Sequence, residues 1–277
     1  MWLHADIKTL GDIPRYYGKR SGGKTALIGG GQKRTFAELD KTSNRIANAL
    51  MADGVSPRSH VGFLGKNSIT YFETLFGANK AGCAILPLNW RLTAAELTLV
   101  IDDAKPPLVF VDQDYVQLLK DVQQQSQTKF RIIAFDSVNH VPGEFDAWIA
   151  ASKDSDPQLP VPAQDTALLI YTSGTTGKPK GVQLTHYGLN FQRLCEHLEP
   201  AYQWHPDDVM MLVMPCFHLV GSGLSIQGLY NGATVSILPA MDAAAVIDVI
   251  ERDRPTICCL VPTAIQILIE QIGRAHV

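Results

Sequence analysis

The sequence predicts an α/β protein, doubly wound, with mostly parallel sheets and flanking helices. Three observations carry this. First, short runs rich in Val, Ile and Leu recur at Val61–Leu64, Cys83–Leu86, Leu108–Val111, Ile132–Phe135, Ala167–Ile170 and Thr256–Leu260, as expected of strands buried on both faces. Second, helical patterns separate several of them, with loops too short for anything but local crossovers, which is the mark of parallel βαβ units. Third, 277 residues at 46% hydrophobic content and a net charge of -3 supply enough apolar material for one large core or two small ones.

Taken in order, the chain first offers a false lead. Gly18-Lys19-Arg20-Ser21-Gly22-Gly23-Lys24-Thr25 satisfies the Walker A pattern letter for letter. That pattern holds phosphate where a strand enters it and a helix leaves it. Here the polar Asp12–Tyr17 precedes it, and Ala26-Leu27-Ile28 followed by Gly29-Gly30-Gly31 reads as a short strand and turn. The segment is expected to be a basic solvated loop.

Thr35-Phe36-Ala37-Glu38 is a capping box, and Leu39, Ile46 and Leu50 give an apolar face, so a helix is expected from Thr35 to Asp53 with Gly54 as its stop. A strand at Val61–Leu64, a helix from Ser68 to Ala81 and a strand at Cys83–Leu86 form the first βαβ unit. Pro87-Leu88-Asn89-Trp90-Arg91-Leu92 follows, and then a second capping box at Thr93-Ala94-Ala95-Glu96. Strands at Leu108–Val111 and Ile132–Phe135 flank a helix through Tyr115 to Gln124. Between Ala151 and Asp165 the chain turns polar and proline-rich. That stretch is expected to be a linker (151–165) between a first α/β subdomain (1–150) and the start of a second (166–277). Thr185 is a candidate cap for a helix through Asn190. Strands at Val209–Met214, Ala233–Leu238 and Thr256–Leu260, a helix over Ala243–Arg254 and a last helix through Ile269 continue the alternation.

The stretch with chemistry in it is Tyr171-Thr172-Ser173-Gly174-Thr175-Thr176-Gly177-Lys178-Pro179-Lys180-Gly181, directly after the buried run Ala167–Ile170. Glycines let backbone N–H groups approach an anion, hydroxyls donate further hydrogen bonds, and lysine neutralises charge. This composition suits a polyphosphate.

The segment resembles the signature loop of the adenylate-forming (AMP-binding) superfamily, of the acyl-CoA synthetase type. Pro87-Leu88-Asn89-Trp90-Arg91-Leu92 and Pro215-Cys216-Phe217-His218-Leu219-Val220-Gly221 resemble two further segments of that family, in the same order. The resemblance implies the large N-terminal domain of an adenylate-forming enzyme, truncated, with the small C-terminal domain absent. It implies ATP and Mg²⁺ as cofactors, coenzyme A as co-substrate, and a carboxylic acid, fatty or aryl, converted to acyl-adenylate and then to a thioester. Thr172, Ser173, Gly174, Thr175, Thr176 and Lys180 would contact the ATP phosphates, and Thr172 would also reach the metal. Lys178 holds a position that varies in the family. His218 would be the aromatic gate between acid pocket and thiol tunnel, and Val220 and Gly221 would line that pocket. The expected polypeptide is an incomplete and inactive form. Its last six residues, Ile272–Val277, read like one translation frame of a sequencing adaptor.

Other classes stay open or fall away. An adenylation domain loading a carrier protein, and a non-catalytic nucleotide-binding fragment, remain alternatives. No clustered Lys/Arg face suggests nucleic acid. Cys83, Cys195, Cys216, Cys258 and Cys259 show no metal spacing, which fits a reducing, cytoplasmic setting. The longest apolar stretch, Ile257–Ile269, is broken by Pro262 and Gln266 and is too short for a bilayer. Oligomeric state is not encoded legibly.

Overall fold

The computed structural model describes residues 5–172 and 179–275. The chain begins with α1 (Asp12–Arg20), β1 (Thr25–Gly29) and β2 (Gln32–Thr35), and then α2 (Phe36–Ala52) opens on the expected capping box. In that box Glu38 N–H donates to the Thr35 hydroxyl (3.2 Å), and the Glu38 carboxylate accepts from Thr35 N–H (2.8 Å). The first βαβ unit follows as β3 (His60–Leu64), α3 (Ile69–Lys80) and β4 (Ala84–Leu88). Next come α4 (Ala94–Ala104) behind the second capping box, β5 (Leu108–Asp112), α5 (Val116–Gln125), β6 (Arg131–Phe135) and α6 (Glu144–Ala150). The hairpin of β7 (Thr166–Thr172) and β8 (Lys180–Thr185) leads into α7 (His186–Phe191), capped by Thr185, and α8 (Arg193–Leu198). β9 (Val209–Leu212), α9 (Leu219–Tyr230), β10 (Thr234–Ile237), α10 (Ala243–Asp253), β11 (Ile257–Cys258) and α11 (Pro262–Ala275) complete the order.

The strands form two sheets. One has the order β11-β9-β10-β1-β2 and the other β6-β5-β3-β4-β7-β8. Every pairing is parallel except β1 with β2 and β7 with β8, so each sheet ends in one antiparallel edge strand.

The sheets do not divide where the polar connection suggested. β7 and β8 lie after residues 151–165, yet β7 pairs with β4, so they complete the sheet of the first half. β1, from the start of the chain, pairs with β10 in the other sheet. Nor does the connection hang free. Asn48 donates to the carbonyls of Lys153 (2.9 Å) and Ser155 (2.8 Å), Asn44 donates to that of Asp154 (3.0 Å), and Arg15 pairs with Asp156 (2.5 Å). Its polarity comes from being strapped along α1 and α2.

Between the sheets lies α3, buried at every residue but Thr70. Tyr71, Phe72, Leu75 and Phe76 are wholly inaccessible and belong to the main core with Phe36, Ile46 and Leu27. Two charges travel inside with this helix, and both are paired, as burial demands. Glu73 meets Arg34 (3.0 Å), and Lys80 meets Asp40 (2.5 Å) and the Asn44 side-chain oxygen (2.7 Å). Among the described residues no helix is long and apolar enough to cross a membrane.

The Walker-like segment has its elements reversed: helix α1 enters it and strand β1 leaves it. Lys24 donates to the Pro206 and Gly232 carbonyls, fastening the chain's start to the turns before β9 and β10. Its ammonium is engaged in structure.

Candidate active site

Parallel α/β sheets present their loops, and so their ligand crevices, at the C-terminal ends of the strands. Three such ends converge on one cavity of about 490 Å³. β7 delivers Tyr171 and Thr172, with Pro179 returning on the far side of the hairpin bend. β4 runs out through Pro87, Leu88, Asn89 and Leu92. The segment between β9 and α9 supplies Phe217 and His218, while Leu97, Leu99 and Val100 of α4 close the apolar floor. Parts of the three sequence segments singled out for chemistry, the first through Tyr171, Thr172 and Pro179, therefore share one hollow.

Local geometry explains each wall. Thr172 ends β7 opposite Lys180, the first residue of β8, so the bend between them starts and finishes on adjacent strands. Gly181 stands opposite Tyr171, and a Cβ there would lie 3.0 Å from the Tyr171 ring, so glycine lets that ring fold over the edge strand. The Tyr171 hydroxyl donates to Asp103 (2.5 Å), and burial together with that carboxylate raises its pKa, keeping the phenol protonated. After β4, Asn89 turns the chain by accepting from Arg91 N–H (3.0 Å). The Arg91 guanidinium lies over the Trp90 ring at 4.8 Å and the Phe217 ring at 5.7 Å.

His218 is the N-cap residue of α9, exposed, with its ring 4.6 Å from that of Phe217. Partial burial first, and the Arg91 charge second, lower its pKa. The ring is therefore neutral at pH 7 and presents an uncharged face to the cavity.

Other candidates fall differently. Val220 is exposed on the first turn of α9, and Gly221 is buried against backbone, where a Cβ would strike the Pro215 carbonyl and stand 2.6 Å from the Met214 oxygen. Neither lines the cavity, so the glycine is required by the close return of α9 onto its own approach segment. Lys180 lies exposed on the edge strand, next to the cavity's Pro179. Ser173, Gly174, Thr175, Thr176 and Lys178 are outside the described residues.

Sequence reasoning missed Asn67, which ties the His218 segment to the other sheet. An Asn after a strand carries no pattern of its own, so nothing in the sequence marked it. Among the described residues no cluster of His, Cys, Asp and Glu could hold a metal ion. A divalent ion here would depend on the ligand's own oxygens, with Thr172 as the described protein donor. A second cavity of about 460 Å³ lies between the sheets, lined by charged groups including Arg34, Glu73 and Asp112, and contains none of the residues singled out for chemistry.

Comparison with known proteins agrees with this geometry. A family model described as "AMP-binding enzyme" matches residues 15–276. A fatty acid–[acyl-carrier-protein] ligase from Streptomyces coeruleorubidus is 31% identical over 98% of this chain and 51% of its own length. An indoleacetate–CoA ligase from Aromatoleum aromaticum is 34% identical over 89% of this chain and 48% of its own. Among solved structures, ATP-bound MatB from Rhodopseudomonas palustris aligns with a TM-score of 0.81 at 26% identity, over 94% of this chain and 51% of that one. The N-terminal domain of FACL13 from Mycobacterium tuberculosis, at 24% identity, aligns with a TM-score of 0.84 over 95% of this chain and 65% of that one, which shows the shared fold. The chain spans about half the length of the curated relatives it matches.

Proposed function

Because the chain belongs to the AMP-binding enzyme family, we propose that it serves ATP-dependent activation of a carboxylic acid, fatty or aryl, to an acyl-adenylate and then a thioester of coenzyme A. The observation that carries this reading is the convergence of Thr172, the Pro87–Leu92 segment and His218 on one cavity. Its apolar floor suits the body of an organic acid, and a hydroxyl and lysine flank the bend expected to receive phosphates.

The chemistry needs no protein nucleophile. A carboxylate oxygen attacks the α-phosphorus of ATP, the bond to the bridging oxygen breaks, and pyrophosphate leaves. The protein's part is to align two anions and to offset charge on the leaving group. In this proposal Thr172 donates its hydroxyl to a phosphate oxygen and contributes to Mg²⁺ binding, Lys180 neutralises pyrophosphate, and Ser173, Gly174, Thr175 and Thr176 supply further donors. The bound Mg²⁺ would add charge neutralisation across the phosphates. Neutral His218 separates the acid from the path of the incoming thiol without putting a cation beside the carboxylate. Gly221 acts behind it, keeping the start of α9 close to Met214 and Pro215. A reducing, cytoplasmic setting belongs to the same proposal, supported by Cys83, Cys216, Cys258 and Cys259 all being free.

Lys180→Ala in the protein at the full length of its relatives tests the assignment. Carboxylate-dependent exchange of pyrophosphate into ATP should fall by about a hundredfold or more, the order of a lost charge contact in the transition state. Unchanged exchange sinks it. A carrier-protein thiol as acceptor is the second reading, favoured by the match to the Streptomyces acyl-carrier-protein ligase over nearly the whole chain. Supplying coenzyme A and a phosphopantetheinylated carrier side by side, and measuring which is acylated, separates the two.

A further inference from the structure

Asn67 lies at the C-terminal end of β3, just before the Ser68 cap of α3, and is 3% exposed. Its side-chain amide donates to the Met214 carbonyl (3.1 Å) and to the Leu238 carbonyl (3.0 Å), while its side-chain oxygen accepts from Cys216 N–H (2.9 Å). Its own backbone N–H donates to Pro239 (3.2 Å). All these partners follow β9 or β10 in the opposite sheet. A carboxamide offers two donor hydrogens and one acceptor oxygen, and here each finds a partner on the other side of the interface. An aspartate would set a carboxylate against two carbonyls, and a leucine would orphan three backbone groups.

One helical turn on, Tyr71 completes the grip. Its buried hydroxyl shares a hydrogen bond with the Ser222 hydroxyl (2.6 Å), which donates to the Cys216 carbonyl (2.5 Å). The Cys216 peptide is thus held at its N–H by Asn67 and at its C=O through Ser222 and Tyr71. The next two residues are Phe217 and His218, which line the cavity. The His218 carbonyl in turn accepts from Ser222 N–H (3.2 Å). The other walls, Leu88, Asn89, Leu92 and Thr172, lie on or just after β4 and β7, in the sheet whose β3 leads into Asn67 and Tyr71.

We infer that Asn67, with Tyr71, is a positioning residue for acid binding: it fixes the gap between His218 and Thr172 by pinning Cys216 from the opposite sheet. The functional part rests on the cavity being the acid-activation site; the geometric part does not. A residue serving the fold alone would affect both sheets evenly. Asn67 holds the exit of β10 through Leu238 and Pro239, and with its remaining donor and acceptor it holds Met214 and Cys216, the segment whose displacement widens the cavity, and so governs which acids fit.

Two measurements test it. In the 277-residue chain, ring NMR signals of His218, assigned with His218→Gln, should move in Asn67→Ala and less so in Tyr71→Phe, while the buried His186 ring, outside this grip, should not. Tyr71→Phe removes one oxygen and keeps the core filled, so it remains informative where Asn67→Ala fails to fold. Unmoved His218 signals in the folded variants, or equal shifts at His186, overturn the inference. In the protein at the full length of its relatives, Asn67→Ala should raise KM for the acid about tenfold and alter the ranking of acids by size, with KM for ATP changed less than about twofold. A lower kcat with both KM values unchanged overturns the specificity role. Should the wild-type protein exchange no pyrophosphate with any acid, the reading of the cavity falls, while the NMR result still decides whether Asn67 positions His218.

Discussion

His186 is 1% exposed at the start of α7, and its Nδ1 accepts a hydrogen bond from Leu10 N–H (3.1 Å), which tethers the N-terminal segment to the β7–β8 hairpin's exit. Burial pushes its pKa from 6.5 down to about 4. The folded chain therefore binds a proton less readily than the unfolded chain, so this site's contribution is intact above pH 6.5 and is lost as pH falls toward 4. Between pH 7 and pH 5 the loss should be about 2 kcal/mol, from the free energy of roughly one pKa unit per 1.36 kcal/mol. Urea unfolding at both pH values checks this: His186→Gln, which cannot charge, should lose most of the wild-type fall in stability. An equally steep fall in the variant would place the titration elsewhere. The sequence named this residue as the first of a helix and gave no sign of its burial, because its partner lies at the other end of the chain.

Legibility at the level of elements followed local chemistry. Both capping boxes formed at Thr35–Glu38 and Thr93–Glu96, because a side chain and backbone amides three residues apart satisfy each other whatever surrounds them. α9 was illegible. Its sequence, Leu219 to Tyr230, carries three glycines and no polar face, so neither propensity nor periodicity marks a helix, and burial between β9, β10 and the core overrides both. β2 was hidden for the opposite reason, since Gln32-Lys33-Arg34-Thr35 is the polar pattern that protects a sheet edge. α1 was obscured by Pro14 and its charges, although proline is tolerated in a first turn. The cavity's three segments were legible as short motifs; what joins them was not, because Asn67 and Tyr71 act across sheets. Helix packing supplies a further prediction. Gly77 of α3 faces α2 so closely that a Cβ would stand 2.6 Å from the Ile46 Cβ and 3.2 Å from the Ser43 carbonyl. Gly77→Ala should destabilise the chain by about 1–3 kcal/mol through forced separation of the two helices, despite alanine's better helix propensity. Thermal unfolding measures the balance, and a stabilised variant would show that the helices part at no cost.

At the scale of the molecule, the two sheets are interlaced by sequence. β1 and β2 leave the first half to join β9, β10 and β11, while β7 and β8 leave the second half to join β3 to β6. Unfolding either sheet therefore removes strands whose chain neighbours sit in the other, and α3, buried but for Thr70, loses cover on both sides. Asn67 and Tyr71 add hydrogen bonds across the same divide. The consequence is a single cooperative unit, although a chain of this length commonly unfolds in stages. Two tryptophans are placed to test it. Trp148 of α6 packs on Phe110 of one sheet, and Trp204 packs against Gly228 of α9 beside the other. Variants retaining only one of them should unfold at the same urea concentration by fluorescence. Midpoints set apart would mean that each sheet keeps its own core, and that the strands exchanged between the halves couple them weakly.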